Sequence, residues 1–277
     1  MTLALAPTGR AVAFLALLST ALPGDAARAS ASDEKPVLRV GMDTRAAPAA
    51  YVPGLDYSRE DPRSTPAVSP AQLETIEGLD VDVMNALARR LGIQPRVVPT
   101  SWYDLEKGLS DGRFDVILSS WTPTESTPRG IVASKAYYQW ELLVVVRAKD
   151  GRIRSVGDLA GRKVGHIPDP AVEHGLQGMG RGLGAIFDTS RATGYLLFDA
   201  LRSGAIDALI FDSLYVRWHI SHDRAFRIVG PPLNHLGYHV GVREQDEDLL
   251  LRINAAIHNL AGSAEMRSIA ARWEGPS

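Results

Sequence analysis

Two periods of apolar residues alternate along this chain. Residues 37–43, VLRVGMD, form a short apolar run ending at Gly-Met-Asp, which predicts a strand and then a loop. Residues 79–91, LDVDVMNALARRL, place Val83, Leu87 and Leu91 four apart and stop at Gly92, the pattern of an amphipathic helix. Residues 94–98 read as a second strand, 102–110 as a short helix with Leu105 and Leu109 on one face, and 114–119 as a buried strand. Residues 141–147, ELLVVVR, look wholly interior. The pattern then restarts. VGDL at 156–159 opens a helix, 162–167 is a strand, 195–203 a helix, and 206–211 a strand ending at Asp212. A helix over 213–222, strands over 226–229 and 238–243, and helices over 248–262 and 265–273 complete the chain. Two stretches fit neither period. Residues 46–76 are rich in Pro, Ser, Ala and charge and read as a long exposed loop or insertion, and the glycine-rich residues 175–184 read as a mobile loop.

Strands alternating with helices imply an α/β fold with mostly parallel sheets, and two successive rounds imply two α/β lobes. Ligands of such sheets bind outside the carboxyl ends of the strands, which here means the turns after Asp43, Ser119, Ile167 and Phe211. Those turns converge only if the lobes face each other across a cleft.

The first residues carry a different signal. Arg10 precedes an apolar run over 11–22, and small residues around Ala27, Ala29 and Ala31 offer a cleavage site. That order reads as a secretory signal peptide over residues 1–31, the run being shorter than the roughly 20 residues of a membrane span. With no cysteine after it, a lipid anchor is not expected, and the mature product reads as soluble and exported, periplasmic where the host has two membranes.

Composition narrows the chemistry. The 277 residues carry no cysteine, so disulfides, thiolate catalysis and cysteine-based metal sites are excluded. Thirty Lys and Arg against 32 Asp and Glu argue against nucleic acid, which wants a basic face. His219 and His222 lie three apart and His235 and His239 four apart, but no third ligand is visible, so no metal is expected. The Gly178, Gly180, Gly182, Gly184 run lacks the Gly-Lys-Ser/Thr ending of a phosphate loop, and no nucleophile elbow appears. No cofactor is expected.

The segments LRVGMD, GLDVDVMNALARRLG, SWYDLEKGLSDGRFDVILSSWTPTE, YYQWELLVVVR, SVGDLAGRKVG, ALRSGAIDALIFD and VGVREQDEDLLLRINAAI, with a terminal RW, follow one another in the order and spacing of a known family. The chain resembles the periplasmic solute-binding proteins of polar amino-acid ABC transporters, family 3, over about residues 37–275. The resemblance implies the type II periplasmic-binding-protein fold. Lobe one would hold residues 37–141 with 239–277 and lobe two residues 142–238, joined by a two-strand hinge. It also implies a monomer that closes on a small ligand, an amino acid or an amine, and docks on a membrane permease.

The same resemblance nominates site residues. Asp212 in LIFDS stands where the family's ammonium-binding Asp stands, and it also fits a helix N-cap. Ser119, Ser120 and Thr122 match the family's hydroxyl loop, with Trp121 inside it. Trp102 matches a position that stacks on the ligand, and Asp43 one that meets a basic side chain. The family's carboxylate-binding Arg follows Thr-x-Glu or Thr-Glu. Here that position holds Thr127, and Arg129, two residues on, either reaches back around Pro128 or is a surface residue. Asp169-Pro170-Ala171 replaces a Gly-Thr-Thr loop, and Ala46-Ala47-Pro48-Ala49 replaces an aromatic wall. Asp43, Asp212 and Trp102 favour a cationic or amine ligand, an indole being able to take an ammonium on its face. Two rival readings are a sensor or accessory protein that feeds no permease, and a cyclohexadienyl dehydratase-like enzyme, whose resemblance would turn on Glu173.

Overall fold

Residues 35–57, 60–177 and 180–274 are described by a computed structural model; the leader read over residues 1–31 lies outside them. β1 (Val37–Met42) buries Val40 and Met42 completely. It leads into a small hairpin, β2 (Arg45–Ala46) with β3 (Ala50–Tyr51), and a one-turn helix, α1 (Pro70–Leu73), capped by Ser69. Then come α2 (Leu79–Leu91), β4 (Gln94–Pro99), α3 (Leu105–Ser110), β5 (Val116–Ile117) and β6 (Ile131–Trp140). β7 (Leu142–Arg147) starts the second round, with β8 (Lys163–Gly165), α4 (Pro170–Gln177), α5 (Gly180–Leu183), β9 (Ile186–Asp188), α6 (Gly194–Ser203), β10 (Ala208–Asp212), α7 (Ser213–His222) and β11 (Phe226–Val229). β12 (Leu236–Arg243), α8 (Glu247–Leu260) and α9 (Ala264–Trp273) follow.

The strands make two five-stranded sheets, ordered β4-β1-β5-β12-β6 and β11-β7-β10-β8-β9. Each sheet is mixed. β4-β1-β5 and β10-β8-β9 pair in parallel, as their helical crossovers require, while β12 and β7 add antiparallel pairs. Both faces of each sheet are covered. Val116 and Leu118 turn to the core shared with α2 and α8, while Ile117 packs with Leu105, Leu109 and Phe114 under α3. Along β7, Leu142 and Val144 face one layer and Leu143 and Val145 the other, with Leu197 and Phe198 of α6. This two-sided burial is why ELLVVVR reads as a continuous apolar run.

The chain leaves the first sheet through Glu141, whose backbone exchanges hydrogen bonds with Ser213. It returns beside that point: the Leu233 amide bonds the Leu142 carbonyl, the Asn234 side chain takes the Leu142 amide, and β12 begins opposite Trp140. The two crossings therefore lie side by side.

Three stretches differ from the sequence reading. β6 was not expected, because IVASKAYYQW mixes small, polar and aromatic residues with no clean alternation. Helices α4 and α5 replace the glycine-rich loop. Pro170 opens α4, and Gly175 is needed where a Cβ would come within 2.2 Å of the Asn234 amide nitrogen. Within residues 46–76, Ala49, Ala50 and Val52 are buried, and Arg45 holds the stretch by donating to the carbonyls of Asp61 (3.0 Å) and Pro62 (2.9 Å). Such side-chain fastening leaves no periodic trace.

Candidate ligand-binding site

β1 delivers Asp43 to its carboxyl end, buried to 6% exposure. Its amide donates to Ser119 Oγ (3.0 Å), and its carboxylate accepts the Trp102 amide (2.9 Å). The turns after β1, β4 and β5 are thereby tied together. The carboxylate is also gripped from two sides by Arg45, through Nε (3.0 Å) and Nη2 (2.8 Å). With both side chains under 10% exposed, this is a buried, two-pronged ion pair.

Asp80 enters from the first turn of α2. It lies on the same stripe as the apolar Val83, Met84 and Leu87 and is fully buried. Its carboxylate accepts from the Tyr137 hydroxyl (2.6 Å) and Ser120 Oγ (2.9 Å). Ser120 adopts φ +49°, a left-handed conformation uncommon for a non-glycine residue, with its amide on the Tyr137 hydroxyl (3.2 Å). Burial raises the Asp80 pKa to about 6, against the pull of those two donors.

The second sheet supplies two more carboxylates. Asp169 caps α4, accepting from the amides of Ala171 (2.7 Å) and Val172 (3.3 Å). Desolvation raises it to about 6 despite these bonds. Asp212 ends β10 and caps α7 through the Leu214 amide (2.8 Å), while its other oxygen accepts from the Tyr238 hydroxyl. Burial raises Asp212 to about 7, and the charges of Asp169 and Asp80 add to that rise. Burial also pushes the hydroxyls of Tyr137, Tyr215 and Tyr238 well above their ordinary range, with the neighbouring carboxylates adding to it, so all three stay protonated donors.

These turns belong to different sheets, yet they meet. The Tyr103 hydroxyl, from the 3-10 turn after β4, reaches the Ala192 carbonyl between β9 and α6 (3.4 Å). Tyr215 on α7 feels Asp212, Asp80 and Asp43 together, and Tyr51 lies against Trp218 of α7 with ring centroids 6.5 Å apart. Asp80, Asp169 and Asp212 have no basic side-chain partner among the described residues. Their meeting place is an acidic, tyrosine-lined junction between the two sheets.

The profile of the bacterial extracellular solute-binding proteins, family 3, matches residues 61–276. The chain belongs to that family. It is 26% identical to the L-arginine-binding protein of Pseudomonas aeruginosa over 265 residues, 92% of each chain. It is 27% identical to a probable histidine-binding protein of Neisseria gonorrhoeae over 237 residues, covering 82% and 86% of the two chains. The L-cystine-binding protein TcyJ of Escherichia coli strain K12 matches at 25% over 202 residues, 72% and 75%. Among solved structures, an ancestral arginine-binding protein bound to arginine superposes with a TM-score of 0.68 at 23% identity, covering 87% of this chain and 99% of that one. The holo arginine-binding protein of T. maritima superposes at 0.63 with 25% identity, over 86% and 96%. The fold is the two-lobed architecture of these family 3 proteins, and the protein is a solute-binding protein.

The nominated residues sort around the junction between the sheets. Asp43, Trp102, Ser120 and Asp212 lie in its walls, Trp102 meeting Tyr103 edge-on at 5.7 Å. Ser119 is spent on the Asp43 amide. Trp121 is 3% exposed in the core under α3, its indole nitrogen on Glu106 (3.1 Å). Thr122 serves the crossover, donating to the Gly237 carbonyl (2.8 Å) and accepting from the Trp140 indole (3.0 Å). Arg129 is exposed, with no ion pair among the described residues. It precedes Gly130, whose carbonyl takes the Glu244 amide past the end of β12, so it lies at the end of the β6–β12 ladder away from Glu141. The structure does not bring Arg129 to the acidic junction. Thr127 is turned inward on its own loop, its hydroxyl accepting the Thr124 amide (3.0 Å). Glu173 is exposed on α4.

Sequence reasoning did not find Arg45, Asp80, Tyr137, Tyr215 or Tyr238. For Asp80 a signal existed, an acid on the apolar stripe of an amphipathic helix. For the tyrosines there was none, since their partners are distant in sequence, and for Arg45 the pairing with Asp43 depends on a hairpin of two-residue strands that no periodicity marks.

Proposed function

We propose that the protein captures a small solute bearing a protonated amine between its lobes, outside the cytoplasm, and delivers it to an ABC permease of the inner membrane. One observation carries this reading. Asp80 and Asp212, buried, and Asp169, half-buried, converge from both lobes with no side-chain cation among the described residues to neutralise them, and carboxylates in that state attract an ammonium group. The named ligands of the relatives, arginine and histidine among them, carry such a group. Binding would draw the lobes together about the paired crossings at Glu141 and residues 233–236, a hinge closure of the kind permeases recognise. Residues 1–31 fit a cleaved export signal, and the protein acts as a monomer.

An enzymatic role is not proposed. The acid that a dehydratase-like reading would use, Glu173, is exposed, and a general acid needs a dry pocket. The loss of the family's arginine at Thr127 favours, as second reading, an accessory protein that binds the same class of solute without a permease.

A thermal-shift panel of amino acids, diamines, quaternary amines, sugars and small carboxylates tests the proposal. A true ligand at 100-fold its Kd adds about 2.7 kcal/mol. The expected result is a shift with amine-bearing compounds that Asp212→Asn abolishes. A shift with a sugar or a carboxylate alone, unchanged by Asp212→Asn, overturns it.

A further inference from the structure

We propose that the solute carries no carboxylate and is a small aliphatic diamine. The inference rests on the amine-capture reading above and narrows it. It follows from what has become of three groups that could hold an anion at the junction.

The first such group is the N-terminus of α4. Its free amides, those of Ala171 and Val172, are taken by the carboxylate of Asp169, and Pro170 has no N–H to give. The protein has placed an anion of its own where a ligand's carboxylate would sit. The N-terminus of α7 is filled in the same way by Asp212. The second group is the arginine position of the loop after β5, now Thr127, whose hydroxyl closes its own turn. Arg129 stands exposed at the other end of β6. The third is Arg45, the one buried guanidinium in the wall among the described residues. Nε and Nη2 hold Asp43, Nη2 also holds the Pro62 carbonyl, and Nη1 holds the Asp61 carbonyl with Glu60 at 3.7 Å. Arg63 is exposed, its guanidinium 5.6 Å from the centre of the Tyr103 ring.

The carboxylates that remain in the walls accept hydrogen bonds. Asp80 and Asp212 are carboxylates held by hydroxyls and an amide only. Beside the Asp43–Arg45 pair, the Thr44 hydroxyl is fully buried and has no hydrogen-bond partner among the described residues. Acceptors in this number suit primary ammonium groups rather than quaternary ones, which have no N–H. Three unpaired carboxylates suit two positive charges better than one. An α-amino acid would bring a fourth carboxylate to walls whose buried guanidinium, Arg45, is already spent on Asp43.

Titration calorimetry on two matched pairs, putrescine with ornithine and cadaverine with lysine, isolates the carboxylate, since the members of each pair differ in nothing else. The diamine of at least one pair is expected to bind about 100-fold tighter than its amino acid, a like-charge contact being enough for that factor. Asp169→Asn keeps the α4 cap, because an Asn oxygen accepts the same amides, and removes the charge. It is expected to narrow the gap about 10-fold. Ornithine or lysine binding as tightly as its diamine, or more tightly, overturns the proposal while leaving amine capture standing if Asp212→Asn weakens that binding. A gap unchanged in Asp169→Asn removes Asp169 as its cause and overturns the argument. Binding by no member of either pair, with a non-amine solute binding instead, overturns both readings together.

Discussion

Replacing Asp212 with Asn exposes the tension in this site most directly. In the folded protein the Asp212 carboxyl rises from its ordinary 3.8 to about 7, because it is buried and because Asp169 and Asp80 face it. An acid with a raised folded pKa favours folding while it is protonated. That contribution is complete below the unfolded value, near pH 4, and is lost as pH climbs through about 7. At about 1.36 kcal/mol per unit, the rise corresponds to about 4 kcal/mol. An Asn never ionises, so the stability of Asp212→Asn minus that of the parent should grow by up to about 4 kcal/mol between about pH 4 and pH 8. In melting temperature this is on the order of 10 °C for a chain of this size. Hydrogen bonds lost at Tyr238 or gained at the amide shift both ends of the profile equally, so the pH-dependent difference isolates the charge. Asp80 and Asp169 titrate in the same window but are present in both proteins. Urea unfolding of the two proteins, without ligand, across that range makes the measurement. A difference that stays flat with pH, or that falls as pH rises, refutes the reasoning.

Three further substitutions probe other parts of the site. Arg45→Ala strands a buried carboxylate and releases the Asp61 and Pro62 carbonyls; it should cost about 3–5 kcal/mol in urea unfolding, and adding Asp43→Asn should recover part of that loss. Arg129→Ala should leave stability within about 0.5 kcal/mol of the parent and solute affinity unchanged by calorimetry, since its side chain is exposed and unpaired among the described residues. Gly78→Ala should cost more than about 4 kcal/mol or prevent soluble accumulation, because φ is +143° there and a Cβ would lie 2.1 Å from the Ala49 carbonyl oxygen. Soluble yield and circular dichroism check that last outcome.

The legible and illegible parts of the sequence divide along physical lines. α2, α6, α7 and β11 were readable because each buries one face, or both, and local spacing records it. β6 was not, because its pairing with β12 follows the needs of the crossover rather than its own alternation, and β12 itself bulges between Tyr238 and Gly241 so that the His239 amide can reach the Trp121 carbonyl. Asp212 was readable as a candidate because the end of a strand is a place with known chemistry. Its partner Tyr238 was not, since 26 residues and the return crossing separate them. Charge bookkeeping failed for a different reason. Asp43 looked free in the sequence, and its neutralisation by Arg45 two residues away depends on a hairpin of two-residue strands that no propensity marks.

Tyr238 links more than two residues. Its ring stacks on Trp140 at 5.6 Å and on Tyr138 at 5.7 Å, and its hydroxyl serves Asp212. Trp140 ends one crossing strand and Tyr238 lies in the other, so an indole sits one ring away from the carboxylate where an ammonium would settle. The ultraviolet emission of Trp140, isolated by replacing the other four tryptophans with Phe, should therefore report on the charge of Asp212 without any attached dye. Solute arrival, and titration of the empty site, should both be visible as changes in that intrinsic fluorescence.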